Sequence, residues 1–383
     1  MPRFPDITAN IAAMGGSPYS ALAGRLKAYE GRTFPLHVGD TWMEPAACAR
    51  LERFTVAEHP GMHQYLPTQG HPVLLERLAA RVQERTGVST NTSNVLMTAG
   101  GTGGLCALAA VLVSPGDEVL IAAPHWPLIA GHVKIAGGTP VMVPLVGDVT
   151  TAEEAVAAFQ ARITDRTVAV YINTPNNPTG AVYPKAWVEG IVRWAVSNDL
   201  WVWSDEIYED YVYDGEHAYA RTFAPERTIS AYSFSKAYGM AGNRVGYLVG
   251  PDEIIAQTGK VSTHMFYGAP TAGQLAALAV LSPEGDDWIA MAYAKYKALG
   301  EMAAERLGVP TPGGSTFLFL DVADHLDERG LDGLLLDLVG QGLLVAPGRS
   351  FGPYPTHIRV CFTCAAPDVV EEGVDVLARR LGR

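Results

Sequence analysis

The amino-acid sequence predicts an α/β protein with a mostly parallel, seven-stranded β-sheet between helices and with a second, smaller α+β domain. From about residue 71 onward, short apolar runs rich in Val, Ile and Tyr alternate with longer segments of helical period, which is typical of a parallel sheet covered on both faces. After about residue 283 the pattern changes to long helical segments separated by single apolar runs. A chain of 383 residues also favours two domains over one.

Seven apolar runs account for the strands of the predicted sheet. Each run is short and has the length and β-branched or aromatic content of one strand. They lie at 94–98, 118–122, 140–144, 167–172, 200–204, 228–232 and 244–249.

Three segments around these runs show the helical period most clearly. Residues 72–87 place five apolar side chains on one stripe and end at Gly87, a good C-cap residue. Residues 151–163 and 184–198 show the same period, with Pro184 where a first helical turn tolerates proline. The stripe of the first segment consists of Leu74, Leu75, Leu78, Ala79 and Val82.

The carboxyl-terminal part has a different pattern of apolar residues. It reads as a long helix, a strand, another helix, a second strand and a terminal helix, with the clearest segments at 286–308, 316–321, 357–363 and 367–382. The first 50 or so residues are rich in Pro and Gly and match neither pattern, so we expect them to pack with this second domain.

The composition favours an ordinary globular protein with a small ligand. Apolar residues make up 48% of the chain, which is enough for a large core. The 28 basic and 40 acidic side chains give a net charge of −12, which argues against nucleic acid or an anionic membrane as a main partner. The longest apolar stretches fall short of the ~18 to 20 residues that cross a bilayer.

The cysteines favour a reducing compartment. Four of them (Cys48, Cys106, Cys361 and Cys364) are too few and too unevenly spaced for a disulfide scaffold. We therefore expect a cytoplasmic protein.

Two motifs at predicted strand ends favour ligand binding. Open α/β sheets bind their ligands at the carboxyl ends of the strands. The run TAGGTGG at 98–104 follows a strand and opens a helix, so its backbone N–H groups can approach a phosphate, although a plain turn is the alternative. The run NTPNNPTG at 173–180 forms a rigid turn in any case, and Asn177 adds a donor for a ligand.

A third cluster supplies the groups that a pyridoxal phosphate (PLP) site requires. The segment SDEIYEDY at 204–211 places a carboxylate and a phenol at a strand end, and SFSKAYGMAGNRVGY at 233–247 adds a lysine, two serines and an arginine. Lysine can form the Schiff base, carboxylate can keep the pyridine nitrogen protonated, and serine and arginine can bind phosphate. Taken singly, Asp205 could cap a helix, Lys236 could be solvated, and Arg244 could be a surface charge.

Together these motifs resemble the fold-type I, pyridoxal-phosphate-dependent class I/II aminotransferases, from VGDTWMEPA at 38–46 to HIRVCF at 357–362. The resemblance implies that Lys236 is the Schiff-base lysine and Asp205 the partner of the pyridine nitrogen. It implies that Tyr208 and Asn177 donate to the cofactor's phenolic oxygen. The implied phosphate ligands are the backbone amides of Gly101 and Thr102 and the side chains of Ser233, Ser235 and Arg244.

The resemblance also assigns residues outside this cluster. Trp126, in PHWP, would stack on the cofactor, and Tyr65 would reach the phosphate from the neighbouring subunit, which implies an obligate homodimer. Arg359 would hold the substrate α-carboxylate in a bidentate fork, with Gly39 lining the same pocket. The alternatives are that Trp126 is a core residue and that Arg359 is a buried structural arginine.

The motif positions divide the chain. Residues 51–282 are predicted to form the large PLP-binding domain, and residues 1–50 together with 283–383 the small domain. The Cys361 and Cys364 pair is interpreted as structural, because zinc would need a second pair and a redox pair usually opens a helix. We expect no metal.

The substrate is predicted to be an amino acid with a neutral, aromatic or otherwise non-acidic side chain. Family members that act on aspartate or glutamate usually supply a second cation, but this chain has Thr102 in the glycine loop and no arginine in STHMFYGAPT at 262–271. His264 or His125 could partly substitute. Trp42, Tyr19, Tyr267 and Phe351 are further candidates for the pocket.

Two other functions remain open from the sequence. Another PLP reaction, namely β- or γ-elimination, cyclisation or oxidation, would use the same lysine, aspartate and arginine. A non-enzymatic sensor on this fold usually carries a basic DNA-binding extension, for which the acidic chain has no spare length.

Overall fold

The computed structural model describes residues 6–12, 14–15, 20–147 and 149–383, and its centre is a seven-stranded sheet. The spatial order of the strands is β1-β7-β6-β5-β4-β2-β3. The strands are Val95–Thr98 (β1), Glu118–Ala123 (β2), Thr139–Pro144 (β3), Thr167–Asn173 (β4), Trp201–Asp205 (β5), Thr228–Ser233 (β6) and Gly246–Val249 (β7).

All seven predicted strands are confirmed, and the sheet is mostly parallel. Strands β3, β2, β4, β5 and β6 pair in parallel, whereas β7 runs antiparallel to both β6 and β1. The last predicted strand begins two residues late, because Arg244 has a φ of 54° and cannot continue an extended chain. Burial on both faces explains why most of these strands read as continuous apolar runs.

α-Helices pack around this sheet and make up much of the carboxyl-terminal part. The helices of the described residues are Ala9–Ala12 (α1), Ser20–Lys27 (α2), Pro72–Thr86 (α3), Gly100–Leu112 (α4), Pro127–Ile135 (α5), Ala152–Gln160 (α6), Lys185–Ser197 (α7), Phe234–Ala237 (α8), Asp252–Phe266 (α9), Thr271–Val280 (α10), Pro283–Leu307 (α11), Gly330–Val339 (α12) and Pro367–Arg380 (α13). Across the described ranges, no helix is both long and apolar enough to cross a membrane.

Local sequence explains where the predicted helices begin and end. Helix α3 buries the predicted stripe and ends at Gly87, whose φ of 70° suits glycine. Helix α6 begins with a capping box in which the Thr151 hydroxyl accepts from the Glu154 N–H. Pro184 is the residue just before α7, where its missing N–H costs no helical hydrogen bond.

Two apolar layers cover the opposite faces of the sheet. Along β4, Val170 and Ile172 pack into the layer formed with α6 and α7, and Ala169 and Tyr171 pack into the layer formed with α4, α5 and α9. This alternation follows from the two-residue repeat of a strand. This alternation determines which side chains of β4 and β5 lie on the same face of the sheet.

A second sheet lies in the carboxyl-terminal part. It consists of Phe317–Asp321 (β8), Ala346–Pro347 (β9) and His357–Cys361 (β10), in the antiparallel order β8-β10-β9. The amino-terminal segment joins it, because Phe34 forms a bridge with Leu343 and the Cys361 N–H donates to Leu36 O. The expected packing of the two chain ends is therefore observed, whereas the domain boundaries stay a prediction.

Candidate active site

A cavity lies at the carboxyl-terminal edge of the large sheet, where β4, β5 and β6 end side by side. Parallel strands place the residues that follow them at one edge, which is where open α/β sheets bind ligands. The cavity is lined by Gly101, Thr102, Trp126, Asn173, Asn177, Asp205, Ile207, Tyr208, Ser233, Ser235, Lys236, Ala241 and Arg244. The structure thus brings together nearly all the residues predicted to bind the cofactor.

One end of the cavity is suited to an anion. Gly101 and Thr102 lie in the first turn of α4, whose N–H groups and dipole favour negative charge. A Cβ at Gly100 would lie 2.5 Å from Arg244 Nη2, so glycine lets the guanidinium approach the backbone. Arg244 donates to Ala241 O (2.9 Å) and Ala99 O (3.3 Å). It makes no salt bridge to any described residue, and its charge remains available to a phosphate.

Two serines complete this end. Ser233 is the N-cap of α8, and its hydroxyl accepts from the Ser235 N–H at 3.0 Å. This turn places both serines and Lys236 on the same wall of the cavity.

Asp205 is a buried carboxyl group at the end of β5. Its side chain accepts a hydrogen bond of 2.6 Å from the Tyr171 hydroxyl to Oδ2 and a longer one of 3.3 Å from the Ile207 N–H to Oδ1. Burial raises the pKa of Asp205 to about 6, and the two hydrogen bonds oppose this rise. No basic side chain in the described ranges pairs with it, so a protonated pyridine nitrogen would supply the missing positive partner.

Lys236 lies in α8 and donates a hydrogen bond to Gly39 O. Burial lowers the pKa of Lys236, which increases the fraction of nucleophilic free amine at neutral pH. A Cβ at Gly39 would lie 2.7 Å from the ring of Phe317, so a larger residue would displace either that ring or the carbonyl acceptor.

Tyr208 and Asn177 lie between the two ends of the site. Tyr208 is buried, its ring packs edge-on against Phe317, and burial raises its pKa, so the hydroxyl is a neutral donor. Asn177 Oδ1 accepts from Arg359 Nη1 at 2.8 Å, which leaves its Nδ2 as a donor toward the cavity.

Arg359 lines an adjoining cavity together with Gly39, Trp126, Asn177, Tyr208 and Lys236. Its guanidinium lies 4.2 Å from the Phe317 ring centroid and 4.7 Å from that of Phe351, and its Nη2 donates to His37 O at 2.6 Å. Only 4% of the residue is exposed, and no carboxylate within the described ranges pairs with it. A buried, unneutralised guanidinium of this kind fits a substrate carboxylate.

Trp126 borders both cavities. It is the residue before α5, and its ring lies 5.5 Å from that of His132. The rest of the wall near it is formed by His37, Val38, Pro127 and Leu128. The position is compatible with stacking on a cofactor ring.

Tyr65 does not reach the cavity of its own chain. It is 83% exposed, and its ring centroid lies 4.4 Å from that of Tyr267 in a separate surface groove. This position agrees with a residue that serves a neighbouring subunit, but its role stays a prediction.

The additional pocket candidates have mixed outcomes. Phe351 contacts Arg359, whereas Trp42 packs against Tyr296 outside both cavities, and Tyr267 lies beside Tyr65. Tyr19 lies outside the described residues. Neither His125, which is buried with a lowered pKa, nor His264, which lies exposed on α9, lines the two cavities, and their part in substrate binding stays a prediction.

The sequence did not reveal three residues that shape the site. Tyr171 bonds to Asp205, Phe317 packs against Gly39, Tyr208 and Arg359, and the His37 carbonyl accepts from Arg359. Tyr171 and Phe317 lie in apolar strands, and His37 lies in a loop without a motif. Only the folded structure shows which groups they contact. The two cysteines of the C-x-x-C motif are free thiols at the end of β10, and their structural role stays a prediction.

The fold and the site define the class of protein. The site combines a half-buried lysine, an anion site at a helix start, and a buried carboxyl group and a buried arginine that form no ion pair with a described residue. These groups fit the aldehyde, phosphate and ring nitrogen of PLP and the carboxylate of an amino acid. The protein is a pyridoxal-phosphate-dependent enzyme of fold type I.

Comparison with known proteins gives the family. The model described as aminotransferase class I and II matches residues 35–379, and the chain belongs to this family. It is 34% identical to the aspartate/prephenate aminotransferase of Thermus thermophilus over 84% of each chain. It is 32% identical to an arginine–pyruvate transaminase of Pseudomonas aeruginosa over 96% of each.

A solved structure agrees with this assignment. A double mutant of Thermus thermophilus aspartate aminotransferase superposes with a TM-score of 0.90 and 29% identity, covering 98% of this chain and 100% of the other. The protein is therefore an aminotransferase, an enzyme that acts on amino and 2-oxo acids with PLP.

Proposed function

We propose that this aminotransferase takes its amino group from an amino acid with a neutral, aromatic or otherwise non-acidic side chain. The observation that carries this proposal is the charge of the substrate cavity. Its lining includes Arg359 and Lys236 as basic residues, together with His37, whose pKa is lowered by burial and by the nearby Arg359; the remaining wall is mostly apolar. If Arg359 binds the α-carboxylate and Lys236 holds the cofactor, no described cation of the lining is left for a second carboxylate.

The two sequence positions where the family resemblance would place a second cation hold none in this chain. The segment that supplies an arginine in acid-specific relatives contains none here, and the glycine loop has Thr102 in place of lysine. A carboxylate side chain would lose its hydration without gaining an ion pair, which is costly. The relatives are named for both acidic and non-acidic donors, so family membership alone leaves the donor open.

We assign the site residues as follows. Lys236 holds the cofactor as a Schiff base, Asp205 binds its ring nitrogen, and Tyr208 and Asn177 donate to its phenolic oxygen. PLP, when bound, supplies an electron-withdrawing ring for the electron pair left at the substrate Cα. The assignment to the phosphate comprises Gly101, Thr102, Ser233, Ser235 and Arg244, with Trp126 against the ring.

The protein groups then orient the substrate and move its proton. Arg359 fixes the α-carboxylate with two parallel hydrogen bonds, beside Gly39, which selects one orientation of the Cα–H bond. Once an incoming amino group has released it, the Lys236 amine would remove that proton as a general base, and its lowered pKa favours the free-base form that this step needs. Arg359 is buried and Lys236 is half-buried, which limits the access of water to the reacting atoms.

We also propose a homodimer in which Tyr65 of each chain reaches the phosphate site of the other. The support is its 83% exposure and its place in a surface groove lined largely by apolar side chains, since contiguous apolar surface is typical of an interface. Cytoplasmic location stays a prediction from the cysteine content.

A donor panel tests the substrate proposal. The PLP-loaded enzyme is incubated with single amino acids and with pyruvate or 2-oxoglutarate, and the 2-oxo acid product, ammonia and peroxide are quantified. We expect kcat/KM for leucine or phenylalanine to exceed that for aspartate and glutamate. Preference for aspartate would contradict the donor proposal, and ammonia or peroxide in place of a stoichiometric oxo acid would contradict transamination.

A further inference from the structure

Tyr171 is a buried tyrosine that no function described so far explains. It is 0% exposed, lies in the middle of β4 and belongs to the apolar layer that also contains Trp203 of β5. A buried phenol usually needs a hydrogen-bond partner. The partner here is the carboxylate of Asp205, 2.6 Å from the hydroxyl oxygen.

The register of the two strands explains this contact. Tyr171 pairs with Trp203 in the parallel ladder of β4 and β5, and Asn173 pairs with Asp205. Side chains two residues apart on a strand project from the same face. Tyr171 and Asp205 are therefore diagonal neighbours on one face, close enough for the long phenol to reach the carboxylate.

The two oxygens of Asp205 have different partners. Oδ2 accepts the short bond from Tyr171, whereas Oδ1 accepts only the 3.3 Å bond from the Ile207 N–H. Oδ1 therefore keeps free capacity for a ligand. Because Asp205 also lines the cavity, the tyrosine acts on the carboxylate from its protein side.

We propose that Tyr171 is a positioning residue for Asp205: its hydroxyl holds one carboxylate oxygen so that the other stays available to the ring nitrogen of the cofactor. The proposal rests on the role of Asp205 proposed above. The tyrosine touches no substrate and takes part in no bond change. It fixes the rotation of the carboxylate and favours its ionised form.

The surroundings of the pair agree with this role. Burial, with the adjacent carboxylate, raises the pKa of Tyr171, so the phenol remains a neutral donor across the working pH range. The charged neighbour Glu206 tends to raise the pKa of Asp205, but its own carboxylate is bound by Ser204, Ser230 and the Ala220 N–H. Among the described residues, the phenols of Tyr183 and Tyr208 also lie near the pair and burial keeps both neutral, and His217 faces the Glu206 carboxylate at 3.9 Å.

The decisive experiment compares three variants by their affinity for PLP. Tyr171→Phe removes only the hydroxyl, Asp205→Asn removes the charge, and Tyr183→Phe removes a hydroxyl from another buried tyrosine that does not bond to Asp205. The dissociation constant of PLP is measured by fluorescence on cofactor-free protein from pH 5.5 to 8.5. Near-UV circular dichroism confirms that each variant is folded.

A hydrogen bond to an ionised group changes an equilibrium constant by about ten- to a hundredfold. We expect Tyr171→Phe to weaken PLP binding by about tenfold or more at pH 7.5 and to move the pH midpoint of binding upward. Tyr183→Phe should remain within about twofold of wild type. Tyr171→His, which keeps a ring donor, should recover part of the loss and serves if the Phe variant does not fold.

The outcomes separate the two proposals. If Asp205→Asn binds PLP and turns over like wild type, the role of Asp205 is wrong and this inference loses its basis. If Asp205→Asn loses affinity while Tyr171→Phe does not, only the inference about Tyr171 is overturned. Equal losses in Tyr171→Phe and Tyr183→Phe, or an unchanged pH midpoint, would also overturn it, because they would indicate a general effect of a missing buried hydroxyl.

Discussion

The protonation of Asp205 makes the stability of the cofactor-free protein depend on pH in an unusual direction. Most native carboxyl groups have lowered pKa values and stabilise the fold above pH 4. Burial raises the pKa of Asp205 from 3.8 to about 6, so its protonated form is the one that the fold favours. Its contribution is fully present below pH 3.8 and is lost as pH rises through 6.

The size of the effect follows from this shift. A pKa difference of about two units, at 1.36 kcal/mol per unit, gives about 3 kcal/mol in total. About 2 kcal/mol of this loss falls between pH 4.5 and 7.5. Asp205→Asn removes the ionisable group, so the wild type should lose about 2 kcal/mol relative to the variant across this range.

The assay is urea unfolding of the cofactor-free wild type and variant at several pH values. The difference between the two free energies of unfolding cancels the titration of all other groups. The control is Asp199→Asn, at a carboxylate whose side chain is 92% exposed, which should shift stability by less than about 0.5 kcal/mol at every pH. Added PLP should restore stability at pH 7.5 in the wild type only. A difference curve that is flat, or that rises with pH, would refute the reasoning.

Three further substitutions have defined outcomes. Lys236→Ala should lower the rate of transamination by at least about a thousandfold, because both the attachment of the cofactor and the proton transfer are lost. Lys260→Ala, on the exposed face of α9, should leave the rate unchanged. Normal turnover of the Lys236 variant would disprove the role of Lys236. Arg359→Lys keeps the charge but loses the planar guanidinium that can form two parallel hydrogen bonds, so KM for the amino donor should rise by about 30-fold or more in steady-state kinetics. An unchanged KM would mean that the arginine is structural. Arg85→Ala breaks ion pairs with two carboxylates whose side chains are 7% and 8% exposed, and it should lower the free energy of unfolding in urea by about 3 to 5 kcal/mol. The exposed Arg193→Ala should lower it by less than about 1 kcal/mol. Equal losses would show that the buried pairs are no stronger than surface pairs.

The strands of the large sheet were predictable because a strand that is buried on both faces appears in the sequence as a continuous apolar run. Val170 and Ile172 face one layer and Ala169 and Tyr171 the other, so β4 reads as an unbroken apolar run. The direction of a strand does not produce a recognisable pattern in the sequence. The reversed direction of β7, and its late start after Arg244, depend on backbone geometry that composition does not encode.

The site was predictable where residues form motifs and not where they act through space. Lys236, Asp205 and Asn177 lie in polar runs at strand ends, and the structure brings them to one cavity. Tyr171 resembles any other aromatic residue of a buried strand, and its bond to Asp205 depends on β4 lying next to β5 in a fixed register. Sequence periodicity contains no information on which strands are neighbours.

The hydrogen bond between Asn177 and Arg359 makes one amide serve both ligands of the enzyme. Asn177 Oδ1 accepts from the guanidinium at 2.8 Å, and its Nδ2 is the donor assigned to the cofactor. A substrate carboxylate would accept hydrogen bonds from the same guanidinium and compete with Asn177 Oδ1 for its N–H donors. With the roles proposed above, the Asn177 amide would connect the carboxylate subsite to the edge of the cofactor ring, and the occupancies of the two subsites would be energetically linked.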